Sequence, residues 1–277
     1  MAEVTQIIHE YLRHTKKFPH VYCPGCGHGI VLGSLIRSVH KLGLSKDEIV
    51  LAAGIGCSGR MAVYVDFNTV HATHGRVLTF ATGIKMANPD LKVIVVMGDG
   101  DAMSIGGNHL IHAARRNIGL TTLVLNNHIY GMTGGQSSST TPEGAFSTTS
   151  PYGQLEKSFD LVDLARASGA SFVGRSTVMH AHHLDKLIRS ALDNPGFSLV
   201  EVMTPCFTQF GRKNKFKSVT GMYQWYKENA VLLEKYKKLD EEQQKDKLPI
   251  GTFVNTDATP LEVRYEQMRQ RFQEGSR

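Results

Sequence analysis

The stretch from Val93 to Gln136, VIVVMGDGDAMSIGGNHLIHAARRNIGLTTLVLNNHIYGMTGGQ, constrains this chain more than any other. It opens with a β-branched run, breaks at Gly98-Asp99-Gly100, carries a helical pattern from near Ala102, and returns to an apolar run ending at Asn126-Asn127. Strand, glycine turn, helix and strand in that order predict one βαβ unit and hence a parallel sheet. Parallel strands end on one edge, so Asp99 and Asn127 can face a common point although a helix separates them in sequence. A carboxylate, an amide oxygen and a nearby backbone carbonyl make a hard oxygen set that suits Mg²⁺, with water and phosphate oxygens completing its octahedron. A helix starting near Ala102 would aim its free N–H groups and its dipole at the same edge, where a diphosphate would be held. Gly98 and Gly100 would let backbone and ligand approach closely.

The rest of the chain supplies ample material for such a sheet. With 277 residues, 41% hydrophobic and 20% charged, it can bury a full core in one large or two small domains. The formal charge of +6 suits acidic partners, such as phosphorylated cofactors or an acidic electron carrier, and suits plain solubility equally well. Basic residues are not interleaved with stacking aromatics, which argues against a nucleic-acid-binding α/β protein. No run approaches the roughly eighteen apolar residues of a membrane span. The N-terminus lacks the apolar core of a signal peptide, so a cytoplasmic location is expected.

In chain order, the pattern predicts a lead-in amphipathic helix within Met1–Pro19, a tight Tyr22–Gly29 turn and a helix over Ile30–Leu42. A buried strand at Ile49–Ala53 runs into a second glycine-rich turn, Gly54 to Gly59, and a helix follows from His74-Gly75-Arg76 to Asn88, stopping before Pro89. Beyond the central unit, Thr133–Pro151 reads as a Ser/Thr/Gly-rich loop at the mouth of a site. Helices are expected at Leu161–Gly169 and His180–Leu192, and strands at Ser171–Val173 and Ser198–Met203. His180, His182 and His183 crowd one helix start but lack a metal-ligand pattern and read as a solvated end. A basic run, Gly211–Lys217, precedes a helix over Met222–Leu239 that offers Trp225, Tyr226, Val231 and Leu232 for docking. Residues 240–277 carry little core pattern and are expected to wrap a partner subunit. The domain reading is therefore 1–215 for the cofactor-binding unit and 216–277 for a helical extension and tail.

Four cysteines remain to be placed: Cys23 and Cys26 as a C-x-x-C pair, Cys57 in the second glycine turn, and Cys206 after the last strand. Four thiolates gathered at one edge suit an iron–sulfur cluster or a tetrahedral zinc; a C-x-x-C pair alone would also serve as a redox dithiol, and unrelated burial is a further reading.

GDGDAMSIGGNH followed by NNHIYGMTGGQ resembles thiamine diphosphate enzymes, and among them the beta subunits of 2-oxoacid:ferredoxin oxidoreductases. CPGCGHG, IGCSGR and TPCFTQFGRKN resemble, in order and interval, the three segments by which that family holds a 4Fe-4S cluster, so that Cys23, Cys26, Cys57 and Cys206 become its ligands. The likeness covers about residues 20–215. It implies an α/β thiamine diphosphate-binding fold, a parallel sheet with helices on both faces. It also implies Asp99, the Asn127 side chain and the Ile129 carbonyl as Mg²⁺ ligands. Ile55, Gly56, Cys57, Ser58, His74, Gly100, Asp101, Gly131 and Met132 match positions around thiamine diphosphate. Taken alone, GDG is as often an ordinary tight turn, and His74 would read as a structural histidine.

The same resemblance implies oxidative decarboxylation of a 2-oxoacid with coenzyme A, the electrons leaving through the cluster to ferredoxin. The carboxylate that activates the aminopyrimidine ring would come from an alpha subunit, with further ferredoxin-like subunits as other potential partners. FGRKN and YCPGCGHG are more similar to the 2-oxoglutarate branch than to the pyruvate branch, with branched-chain 2-oxoacid enzymes as the main rival. A non-redox thiamine diphosphate lyase with a four-thiolate zinc is the other enzymatic reading.

Overall fold

The computed structural model describes residues 2–15 and 19–275. Among the described residues the strands are β1 (Ile49–Ala53), β2 (Asn68–His71), β3 (Lys92–Gly98), β4 (Leu120–Asn126), β5 (Ile129–Tyr130), β6 (Gln136–Ser137), β7 (Phe172–Thr177), β8 (Ser198–Met203), β9 (Ala230–Leu232) and β10 (Leu248–Asn255). The helices are α1 (Ala2–Glu10), α2 (His28–Lys41), α3 (Val77–Ala87), α4 (Gly107–Arg116), α5 (Leu161–Ala167), α6 (Ala181–Asp193), α7 (Val219–Asn229), α8 (Leu233–Tyr236), α9 (Glu241–Gln244) and α10 (Leu261–Gly275).

Eight strands make one sheet in the order β2-β1-β3-β4-β8-β7-β10-β9, while β5 and β6 form a separate antiparallel hairpin. β2, β1, β3, β4, β8 and β7 are mutually parallel, so their C-terminal ends share one edge. Alternate residues of each strand point to opposite faces. Ile49, Leu51, Ile94, Val96, Leu123 and Val202 meet the apolar sides of α2 and α6. Val50, Ala52, Val93, Val95, Val124 and Leu199 meet α3, α4 and α5. Two cores on two sheet faces are why the central strands read as continuous apolar runs. The expected fold class, a sheet with helices on both faces, is the one found.

Three expectations need correction. First, no regular helix begins at Ala102: a single wide turn, Gly100–Ser104, follows Asp99, and α4 starts only at Gly107. Second, the helix expected over Met222–Leu239 breaks at Ala230, whose extended backbone starts β9. Third, residues 216–277 are not only a helical extension. β10 pairs antiparallel with β7 and parallel with β9, and Glu262 anchors α10 by accepting the Gly119 N–H at 3.1 Å. The alternation in β10 is weak because only Ile250 is fully buried, which is why it escaped a pattern-based reading. The lead-in helix ends at Glu10, with Tyr11 and Leu12 in the core; Lys16–Phe18 lie outside the described residues.

Candidate functional site

Because β1, β3, β4 and β8 end on the same edge, their following turns converge. The turn after β1 carries Ile55 to Ser58, with Gly56 at φ 124°, a region that excludes side chains. The turn after β3 carries Asp99, Gly100 and Asp101, and a Cβ on Gly100 would lie 2.4 Å from the Tyr130 ring. After β4 the chain turns through Asn127 and through His128 at φ 63°, bringing Ile129 back toward Asp99. One pocket is lined by Ile55, Gly56, Cys57, Ser58, His74, Asp99, Gly100, Asp101, Asn127, Ile129, Gly131 and Met132, together with His28 and Tyr130. Every residue singled out in the sequence for cofactor or magnesium therefore lies at one place.

Asp99 is 2% exposed. Its Oδ2 accepts hydrogen bonds from the Ser138 hydroxyl and, at 2.8 Å, from the Thr140 hydroxyl. The Asn127 N–H faces its Oδ1 at 3.5 Å. Burial pushes the Asp99 carboxyl above the usual carboxylate range, and these donors oppose the shift. All these donors are neutral, so the carboxylate is buried without a cationic side chain hydrogen-bonded to it. The Asn127 side-chain oxygen accepts the Ile129 N–H at 3.2 Å, which orients both residues in the turn.

Asp101 performs a different task. Its Oδ1 accepts the Gly75 N–H at 2.6 Å and bonds His74 Nδ1 at 2.5 Å. The imidazole is thereby fixed, edge-on to Tyr130. The second oxygen lies against Gly54, where a Cβ would overlap it, and faces the Ile55 N–H without a well-formed hydrogen bond. Ser58 Oγ is buried and unpartnered within the same pocket, leaving a donor that a bound ligand would satisfy.

Cys23, Cys26, Cys57 and Cys206 line a neighbouring cavity of about 660 Å³. All are free thiols; Cys23 is exposed and the others are half-buried. Burial pushes Cys26 up to about 11 and raises Cys57 and Cys206 as well. Among the described residues, no three His, Cys, Asp or Glu side chains close around one ion-sized point. Among the described residues, the charged side chains lining the cavity are Arg60 and Arg212, the latter stacked on Phe207 at 5.5 Å. The two cavities share His28, Cys57, Asn127, Gly131 and Met132, so they are separated by one layer of residues. A Cβ on Gly131 would lie 3.3 Å from Cys206 Sγ and 3.9 Å from Cys57 Sγ, which places Gly131 between the thiols and the first pocket.

The His180 cluster sits at the C-terminal end of β7, on the same sheet edge, but lines neither cavity: as a helix start, His180 and His183 bond the Thr177 and Ser176 hydroxyls. Ser138 and Thr140 were not found by sequence reasoning. Their signal was the hydroxyl run Ser137–Thr141, which becomes meaningful only once the β5–β6 hairpin folds it over Asp99.

A family model, the thiamine pyrophosphate enzyme C-terminal TPP binding domain, matches residues 54–202. 2-Oxoglutarate synthase subunit KorB of Methanothermobacter marburgensis is 50% identical over 246 residues, 89% of this chain and 86% of the relative. The protein of the same name from Archaeoglobus fulgidus is 57% identical over 199 residues, 72% and 74% of the two chains. A solved structure, 2-oxoglutarate:ferredoxin oxidoreductase from Magnetococcus marinus with 2-oxoglutarate, coenzyme A and succinyl-CoA bound, superposes with a TM-score of 0.84. It is 31% identical and covers 96% of this chain and 90% of its own.

Proposed function

This chain belongs to the beta subunits of the 2-oxoacid:ferredoxin oxidoreductases, and from that premise we propose that it carries the cofactors of an enzyme converting 2-oxoglutarate and coenzyme A to succinyl-CoA, with electrons leaving through a 4Fe-4S cluster to ferredoxin. The observation that carries this reading is the adjacency of the two cavities, one lined by Asp99 and Asn127 and the other by four thiols, with Gly131 between them.

The residues fit the groups proposed for them. A carboxylate buried among neutral donors is stabilised by a divalent cation, and Asp99, Asn127 and the Ile129 carbonyl would supply the oxygens. Ser58 Oγ and the backbone around Gly100 line the space for the diphosphate. Thiamine diphosphate supplies a carbon nucleophile and an electron sink for loss of CO₂ from a 2-oxoacid, and a cluster accepts electrons one at a time. For the second cavity, tetrahedral zinc requires four sulfurs each about 2.3 Å from one ion. Four thiols from three separate segments that border one cavity, in segments resembling those that hold the cluster in this family, support the cluster instead. His74, fixed by Asp101 and one-third exposed, would stand at the pocket wall as a hydrogen-bonding group of set orientation. Thiol ligation releases protons, and the raised thiols hold theirs until a metal displaces them.

Among the described residues, the carboxylates lining the pocket are Asp99 and Asp101, and both are engaged. We assign the carboxylate for the aminopyrimidine ring to an alpha subunit. The test is kcat/KM for 2-oxoglutarate, pyruvate and 2-oxoisovalerate in the assembled complex. A polar site that recognises the distal carboxylate discriminates strongly against apolar analogues. A preference for either of the latter two, or turnover by this chain alone, would overturn the corresponding part of the reading.

A further inference from the structure

Glu201 and Arg175 line neither of the two cavities, yet they are 2% and 5% exposed in the centre of the sheet. They are direct register partners on β8 and β7, and Arg175 Nε donates to Glu201 Oε2 at 2.5 Å. The same guanidinium donates to both Asp160 oxygens and lies over the Phe253 ring. A buried ion pair is expensive to desolvate and is seldom more stabilising than apolar side chains of similar volume. Its position therefore calls for a role besides stability.

The second glutamate oxygen supplies one. Glu201 Oε1 accepts the Asn126 Nδ2–H at 2.8 Å. That contact fixes which way the Asn126 amide faces, because the reversed amide would set oxygen against oxygen. With its orientation fixed, Asn126 Oδ1 accepts the His128 N–H at 3.0 Å, and the Thr140 proton is shared between this oxygen at 3.1 Å and Asp99 Oδ2 at 2.8 Å. The Asn126 carbonyl is held independently by the Thr204 N–H at 2.8 Å. A left-handed His128 is an uncommon conformation for a residue with a side chain and persists only where neighbours hold it. Asn126 is one of the neighbours that do so, with the Thr140 carbonyl 2.8 Å from the imidazole and the Thr141 hydroxyl donating to the His128 carbonyl at 2.6 Å, and the turn they hold presents Asn127 and Ile129 to the pocket.

We infer that Glu201, clamped by Arg175, is a positioning residue: acting through Asn126 and Thr140, it sets the geometry of Asp99, Asn127 and the Ile129 carbonyl toward a divalent cation. This rests on the reading that those three hold Mg²⁺. Glu201 touches neither cation nor substrate. Its contribution is the orientation of groups that do.

Two double variants isolate the contact. Arg175→Met/Glu201→Leu removes the ion pair and leaves Asn126 without an acceptor. Arg175→Met/Glu201→Gln also removes the ion pair but keeps an amide oxygen for Asn126. In the assembled complex, stripped of cofactor, Mg²⁺ is titrated at fixed thiamine diphosphate and binding is followed by calorimetry. The leucine variant should bind Mg²⁺ about tenfold more weakly, the loss expected for one hydrogen bond to a charged group, and the glutamine variant within about threefold of wild type. At saturating Mg²⁺ the kcat of both should match wild type, so the defect appears in the apparent KM for the metal. Equal Mg²⁺ affinity in the two variants, with any change confined to melting temperature, would reduce the pair to a structural role and overturn the inference. Should the leucine variant not fold, Asn126→Asp and Asn126→Asp/Glu201→Gln replace it. The single change sets two carboxylates together and should weaken Mg²⁺ binding, and the double restores the bond with donor and acceptor exchanged. Failure of the second change to recover affinity overturns the inference equally. Asp99→Ala serves as the control. Unaltered Mg²⁺ binding there would remove the metal site itself, whereas lost binding there with a normal leucine variant would remove only the role of Glu201.

Discussion

The pocket at Asp99 and the cavity at the cysteines share a wall but are held in different ways. Around Asp99, three hydrogen-bond donors and the Asn126–Ile129 turn orient the protein oxygens. Around the cysteines, the thiols come from a Pro/Gly turn, a glycine turn and a strand end, and one of them, Cys23, is exposed. The first site is built by the sheet and a hydroxyl-rich loop, so the cation proposed there would meet prepared geometry. The second is a cavity with thiols at its border, raised by burial, and the cluster proposed there would have to displace their protons. A substitution at the first should therefore be read in affinity, and one at the second in whether the group assembles at all.

The largest effect is expected at Asp99. Replacing it by Ala deletes the carboxylate we assign to Mg²⁺ and the acceptor that Ser138 and Thr140 share, so thiamine diphosphate affinity in Mg²⁺ should fall by about a hundredfold or more. Equilibrium titration of the complex measures this, and unchanged affinity would break the contrast at once. Next, Cys57→Ser should strip most of the iron and the electron transfer to ferredoxin while diphosphate affinity stays within several-fold, although Cys57 lines both spaces. Full visible cluster absorbance in that variant would take Cys57 out of the ligand set. A smaller change is expected from Gly131→Ala, whose methyl would press on Cys206 Sγ at 3.3 Å. Here the cluster potential should move while Mg²⁺ affinity does not, and movement of both would mean that the wall is not a separator.

The smallest effect lies at the outer end of the Arg175 network. Burial raises the Asp160 carboxyl, but Arg175 and the Asp163 N–H outweigh it and hold the group below its ordinary value. A depressed carboxyl adds stability that is present above its unfolded pKa, about 4, and is lost as pH falls through the folded value. With the side chain 46% exposed, solvent screening limits the gain to about 1 kcal/mol or less. Wild type should thus melt slightly above Asp160→Asn at neutral pH and lose that margin below about pH 4. A margin that grows on acidification would contradict the sign.

Much of the edge was legible because strand ends in a parallel sheet are fixed by periodicity. Gly98-Asp99-Gly100 and Asn126-Asn127 could be placed together from two apolar runs and the segment between them. What was not legible depended on contacts between distant segments. Ser138 and Thr140 sit in a loop without periodicity, and their use becomes visible only when the hairpin covers Asp99. Glu201 and Arg175 did leave a trace, each a charged residue within a buried strand. A break in an apolar run shows that a partner exists without saying which one. β10 was missed for the opposite reason: at the sheet's far side it is only partly covered, so its sequence lacks the apolar run that marked β3 and β4.

The central claim is that one chain places a thiamine diphosphate–Mg²⁺ site directly beside an iron–sulfur cluster. Metal, sulfide and cofactor analysis of the complex purified without air tests it most directly. The account predicts one thiamine diphosphate and one Mg²⁺ for each copy of this chain. It also predicts iron and acid-labile sulfide in equal amounts, about four of each assigned to Cys23, Cys26, Cys57 and Cys206 by their loss in the Cys57→Ser complex. Zinc in place of iron, or iron unaffected by that substitution, would contradict it.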